Sequence, residues 1–129
     1  MRLLLDTHVW LWMVAAPNRL RPETRALLQR RDTTLYLSAA SAWEMAIKHH
    51  LGKLPLPEHP RDFVPPRLLR DGVLSLQVDM RHALEVSGLP DHHNDPFDRI
   101  LVAQARCEQL TLLTADEELT AYDARTLRA

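Results

Sequence analysis

The sequence has one cysteine, three glycines and almost no net charge, and each scarcity closes a class of function. Cys107 alone allows no internal disulfide framework, which suits a reducing compartment. Gly52, Gly72 and Gly88 each fall where a helical pattern ends. No glycine-rich loop remains to cradle a phosphate, so the P-loop and dinucleotide fingerprints are excluded. A formal charge of −1 gives no bulk attraction to nucleic acid, and any such affinity must come from a local patch. No apolar run approaches the roughly 20 residues of a membrane span. The opening Met1–Leu5 is cut off by Asp6, too soon for a signal peptide. Repeats and low-complexity segments are missing too. The expectation is one soluble, cytoplasmic domain over residues 1–129.

What is present is ordinary globular material, 46% apolar and 26% charged. Arg2 to Leu5 reads as a buried strand, followed by an apolar segment from His8 to Ala15 that Pro17 stops. A helix is predicted from Pro22 to Arg31, a strand from Thr34 to Leu37, and a helix running to His50. Five prolines between Leu54 and Pro66 predict a loop or broken helix, before a helical piece ending at Asp71-Gly72. Then come a strand from Val73 to Val78, a helix capped by Asp79, a long helix from Asp95, and a strand from Thr111 to Thr114. Ala115-Asp116 opens a short helix, and the tail from Tyr122 supplies an edge strand. Strands alternating with helices predict a three-layer α/β/α sandwich around a mainly parallel sheet, with ligands at the carboxyl ends of the strands.

The stretch His93-Asn94-Asp95-Pro96-Phe97-Asp98 organises the rest. Asp95-Pro96 is a helix start, which puts Asp98 in the first turn of a largely apolar helix. Asp6 directly follows the first strand, Asp116 follows the fourth, and Glu44 lies early in the helix after the second. In a parallel sheet with right-handed crossovers these positions share one rim. Singly, each has a plain structural explanation. Ser41-Ala42-Trp43-Glu44 matches a capping box, Asp6 and Asp116 can cap the helices they precede, and Glu44 can pair with Lys48 one turn on. Together they are harder to explain, because two carboxylates ~4 Å apart repel by about 4 kcal/mol at an effective dielectric near 20. Lys48 and Arg99 are the main nearby cations, and each can point outward. All-oxygen ligation suits Mg²⁺ or Mn²⁺, which act on phosphate oxygens.

In these segments the chain resembles the PIN-domain ribonucleases, and among them the VapC-type toxins of bacterial toxin–antitoxin pairs. The resemblance rests on Leu3-Leu4-Leu5-Asp6-Thr7-His8, on Ser41-Ala42-Trp43-Glu44-Met45-Ala46-Ile47-Lys48 with Gly52-Lys53-Leu54, on His93 through Ala105, and on Leu113-Thr114-Ala115-Asp116. It implies an acidic quartet of Asp6, Glu44, Asp98 and Asp116 that binds Mg²⁺ or Mn²⁺ and hydrolyses RNA phosphodiesters with a metal-activated water. It implies Thr114 as a hydroxyl orienting a carboxylate, a homodimer, and an antitoxin that blocks the site. Asp95 is either a further ligand or the helix cap. Lys53, Arg61, Arg67 and Arg70 are candidates for an RNA-binding patch, and a solvated face explains them equally well. Two rivals are a catalytically silent PIN-fold interaction module and a small-molecule phosphohydrolase. The first would be expected to have lost an acid. The second lacks the second Asp of a DxD nucleophile, since Asp6-Thr7 is followed by His8.

Other chemically suggestive residues read as structural. His92-His93 lacks zinc spacing, although His93 could touch substrate or hold the loop. His49-His50 suits a helix C-terminus, and Cys107 has no nucleophile's companions. Trp10, Trp12 and Met13 belong to a core or an interface, with the lean towards partly facing a partner.

Overall fold

In the computed structural model, which describes residues 1–129, alternation along each strand sends side chains to opposite faces of one sheet. The strands are β1 (Arg2–Leu5), β2 (Thr34–Ser38), β3 (Leu74–Leu76), β4 (Thr111–Thr114) and β5 (Thr126–Arg128). Their order is β3-β2-β1-β4-β5, and every pair is parallel. Leu3, Leu5, Leu35, Leu37 and Leu113 pack on one face against α1 (Thr7–Ala15), α2 (Pro22–Leu28), α3 (Ala39–His50) and α4 (Pro60–Asp71). Leu4 and Leu112 face the other way, towards Leu101, Val102 and Ala105 of α6 (Pro96–Glu108), with α5 (Met80–Glu85) beside it. The architecture is thus the α/β/α sandwich that the strand–helix alternation predicts.

Strand order reverses between β1 and β4, the place where such sheets leave a crevice at their carboxyl ends. Asp6 leaves β1 and Asp116 follows β4, so the two acids flank that crevice.

The proline-rich segment departs from expectation. Pro65 and Pro66 lie inside α4, which continues unbroken to Asp71. The carbonyls that their missing N–H groups leave unbonded, one turn back at Arg61 and Asp62, belong to exposed residues that water can serve, while Phe63 and Val64 are buried and hold the helix to the sheet. Several boundaries also shift. The second helix ends at Leu28 rather than Arg31, β3 is confined to Leu74–Leu76, and the helix after Asp79 gives way to a 3-10 turn at Val86–Gly88. Gly72 caps α4 with φ 66°, as the pattern predicts, but the corresponding residue after α6 is Gln109 at φ 55°. A side chain in that left-handed conformation is strained. Gln109→Gly is therefore expected to raise unfolding free energy by about 0.5–1 kcal/mol, measured by urea denaturation.

Candidate metal centre

Each acid of the quartet is placed by a different local device. Asp6 occupies the position before α1, yet its side chain makes no capping bond. It is buried, and its Oδ2 accepts a 2.6 Å hydrogen bond from the Thr114 hydroxyl. Asp116 does cap: one oxygen accepts from the Glu118 N–H at 3.0 Å, leaving the other directed at His93. Asp95 is the cap of α6, accepting from the Phe97 N–H at 2.8 Å. That leaves Asp98 in the first turn with no backbone bond to make.

The capping-box explanation of Glu44 fails. Ser38 caps α3 through the Ala40 N–H, and Ser41 is buried inside the helix. The Thr7 hydroxyl lies 2.8 Å from both Ser41 Oγ and Glu44 Oε1. A hydroxyl has one proton, so Thr7 gives it to the carboxylate and accepts from Ser41. Lys48 does not point outward as supposed. Its Nζ sits 2.5 Å from Glu44 Oε2, because the i,i+4 spacing and the buried, negatively charged neighbourhood draw it in. The hydrogen bond to Glu44, helped by the charges of Asp95 and Asp98, raises the Lys48 pKa. Arg99, the other candidate counter-ion, makes no ion pair with the quartet.

His93 joins the two less buried acids. Its Nε2 is 2.9 Å from Asp116 Oδ2 and 3.4 Å from Asp98 Oδ2, and the three side chains offer ligand atoms within 4.8 Å of one another. Its Nδ1 accepts the Asp95 N–H at 3.0 Å, so the neutral ring carries its proton on Nε2. Neither nitrogen then has a free lone pair for a metal, and His93 serves as a donor to the acids. Burial disfavours its charge, but the Asp116 hydrogen bond and the charges of Asp98, Asp116 and Glu118 outweigh that and raise its pKa.

The electrostatics register a surplus of negative charge. Burial, then the charges of Asp6 and Asp95, push the Asp98 carboxyl up to about 7, with His93 pulling the other way and Glu44 adding to the rise. Burial also raises Asp6, and its Thr114 hydrogen bond only partly opposes this. Asp6 and Glu44 stand outside the tight His93–Asp98–Asp116 group, but near enough for their charges to act on Asp98. An all-oxygen donor set under mutual repulsion fits a hard divalent cation. The other carboxylate–histidine group contrasts with it: Asp79, His82 and Glu108 are bridged by Arg81, which bonds both acids. Thr114→Val should leave the Asp6 carboxylate short of a donor in a buried setting. The expected result is a loss of about 1–3 kcal/mol in urea unfolding.

Thr7 and Tyr122 carry no local signal of their roles, because their partners lie far along the chain. Trp10, read as leaning towards a partner, is fully buried, while the exposed tryptophan is Trp43, packed edge-on to Phe97 at 5.4 Å. Of the basic candidates, Arg67 stacks over Phe63 and Arg70 pairs with Asp71. Lys53 and Arg61 are exposed and form no ion pair.

Residues 3–125 match the family model described as PIN domain. Over 70 residues the chain is 49% identical to Ribonuclease VapC16 of Mycobacterium tuberculosis (strain ATCC 25618 / H37Rv), a match covering 53% of this chain and 50% of that protein. The chain thus spans about half the length of the curated relative it matches. Among solved structures it is similar to VapBC2 from Rickettsia felis bound to a promoter DNA fragment, with TM-score 0.73 and 14% identity over 99% of this chain and 98% of that one. It is also similar to DNA-bound VapBC from Salmonella typhimurium, with TM-score 0.69 and 16% identity over 99% and 98% of the two chains. At these identities the likeness of the solved structures speaks to the fold alone.

Proposed function

The chain belongs to the PIN domain family, and we propose that it is a divalent-metal-dependent endoribonuclease, the toxin of a type II toxin–antitoxin pair. The observation that carries this reading is the gathering of Asp6, Glu44, Asp98 and Asp116 at the carboxyl edge of the sheet, where Lys48 pairs with Glu44 alone and Asp98 is driven to about 7 by burial and then by the charges of Asp6 and Asp95. Asp6, Asp98, Asp116 and Glu44 would hold Mg²⁺ or Mn²⁺. When bound, such an ion neutralises charge developing on a phosphoryl oxygen and makes water a stronger acid. Thr114 fixes the direction of Asp6, Thr7 and Lys48 fix Glu44, and Asp95 fixes the helix turn that presents Asp98.

The substrate side has its own support. A cleft of about 280 Å³ beside Glu44 is lined by Thr7, His8, Leu11, Lys48, Lys53 and Leu54. Gly52, at φ 73°, turns the chain so that the Lys53 N–H bonds back to the Lys48 carbonyl at 2.8 Å, which brings Lys53 to the cleft. Lys53 and Arg61 are assigned to RNA phosphates.

The names of the relatives, a ribonuclease and two VapBC complexes, support an antitoxin partner for this chain as well. The reading includes a cytoplasmic single-domain protein, in keeping with a chain none of whose helices is long and apolar enough to cross a membrane. It also includes a homodimer, supported by the exposed Trp43, Met80 and Leu84 and checked by light scattering.

Incubation with RNA and with a generic phosphate ester, each with Mg²⁺ and with EDTA, tests the assignment. RNA should be cut only with Mg²⁺ and the ester left intact. RNA cleavage that persists in EDTA, or ester turnover lost in Asp6→Asn, would overturn it. Coexpression with the product of a small adjacent gene should suppress cleavage.

A further inference from the structure

Arg99 follows a candidate metal ligand directly, yet its guanidinium turns away from the acids into the preceding loop. Nη2 donates to the carbonyls of Val86 and Leu89 at 3.1 and 3.3 Å. Nη1 donates to the Pro90 carbonyl at 2.9 Å and the Tyr122 hydroxyl at 3.1 Å, with the His93 carbonyl at 3.4 Å. The four terminal N–H groups are therefore all used, and none goes to a carboxylate at hydrogen-bond distance. The nearest acid is exposed Asp91, at 3.7 Å. A planar fork with fixed donor directions is suited to gathering carbonyls from an irregular turn, and an ammonium is not.

Tyr122, which follows Asp116 in the chain, completes the arrangement. It is buried, and its hydroxyl accepts the His93 N–H at 2.9 Å as well as the Arg99 donor. The His93 backbone is thus held by Tyr122, and its ring is held by the Asp95 N–H on Nδ1. With both fixed, Nε2–H is aimed at the carboxylates, Asp116 nearest at 2.9 Å, with Asp98 at 3.4 Å and the exposed Glu118 at 3.5 Å.

We propose that Arg99 and Tyr122 are positioning residues for the metal centre, clamping the 86–93 loop so that His93 spans Asp98 and Asp116 and sets the spacing of those two carboxylates. The proposal rests on the reading of these acids as metal ligands. It adds a role for residues that touch neither metal nor substrate.

The test uses the full chain as Arg99→Lys and, as the milder change, Tyr122→Phe. Mn²⁺ binding is measured by calorimetry well below each variant's melting temperature, and the exchange rate of the His93 amide by NMR. Partners that orient ligands are worth 10–100-fold in metal affinity, so Arg99→Lys should weaken Mn²⁺ binding by about that factor and Tyr122→Phe by about tenfold. The His93 amide should exchange faster in both. A folded Tyr122→Phe with wild-type Mn²⁺ affinity would overturn the proposal, because a residue that only stabilises the fold lowers the melting temperature without moving that constant. If the wild type bound Mn²⁺ but cut no RNA, the ribonuclease reading would fall while the clamp stood on the affinities. If the wild type bound no Mn²⁺, both would fall.

Discussion

Asp98→Asn should abolish RNA cleavage and, in metal-free buffer at about pH 8, make the protein more stable than wild type. The two effects share one cause. In the folded chain the Asp98 carboxyl is pushed to about 7, against an ordinary value of 3.8, chiefly by burial and then by the charges of Asp6 and Asp95. Keeping it ionised at pH 8 therefore works against folding. The full shift corresponds to about 4 kcal/mol, and on the order of 2 kcal/mol remains after allowing for the water that reaches this half-buried group. Asparagine keeps the shape without the charge, so thermal unfolding in EDTA should shift upward by about 3–8 °C. Adding Mg²⁺ should stabilise the wild type more than the variant, since the cation draws its binding energy from the charge that was removed. Cleavage should fall on the order of 10³-fold, about 4 kcal/mol of transition-state stabilisation. Wild-type cutting by Asp98→Asn with metal present would remove Asp98 from the site.

The second large effect concerns the metal-free wild type, whose stability should decline as pH rises from about 5 to 8, the opposite of a protein held by ion-paired carboxylates. Asp6 and Asp98 both have raised folded-state values, so each binds its proton more tightly in the folded chain than in the unfolded one. Their contribution is fully present below the unfolded value of 3.8 and is lost as pH climbs through the folded one, about 7 for Asp98. His93, raised above 6.5, acts in the same direction and loses its contribution as pH passes its folded value. The lowered Asp32, Asp79 and Glu108 oppose this only in acid; Asp32 and Asp79 are in exposed pairs of small weight, and half-buried Glu108 is held by the His82 hydrogen bond and by Arg81. Saturating Mg²⁺ should flatten the decline, because the cation takes over the role of the protons. Urea melts at several pH values, with Mg²⁺ and with EDTA, measure it. A metal-free stability that rose steadily to pH 8 would mean that the carboxylates are already compensated within the protein.

Lys48 is the group best placed to provide such compensation, and its direction could not be read from the chain. The i,i+4 spacing to Glu44 allows an inward pair or a solvated one. The choice is made by Asp95 and Asp98, which approach Lys48 from another helix. The same limit applies to Ser41. Its spacing to Glu44 suggests a cap, yet β2 extends to Ser38, and that residue takes the capping role instead. The α4 prolines were misleading for a related reason: propensity argues against Pro65 and Pro66 in a helix, and burial of Phe63 and Val64 outweighs it.

What the chain by itself determined is local or periodic. The consecutive leucines of β1 and β4, the alternating Leu35 and Leu37 of β2, the Asp95-Pro96 start of α6 and the left-handed stop at Gly72 all depend on residues within a turn or two. They fix the elements and, through right-handed crossovers, the rim on which four acids fall. Only the tertiary structure decided which groups complete the centre. Thr114 reaches Asp6 across 108 positions, Thr7 reaches Glu44 across 37, and Arg99 and Tyr122 meet across 23. Such partners are selected by sheet register and helix packing, which leave no pattern at short range.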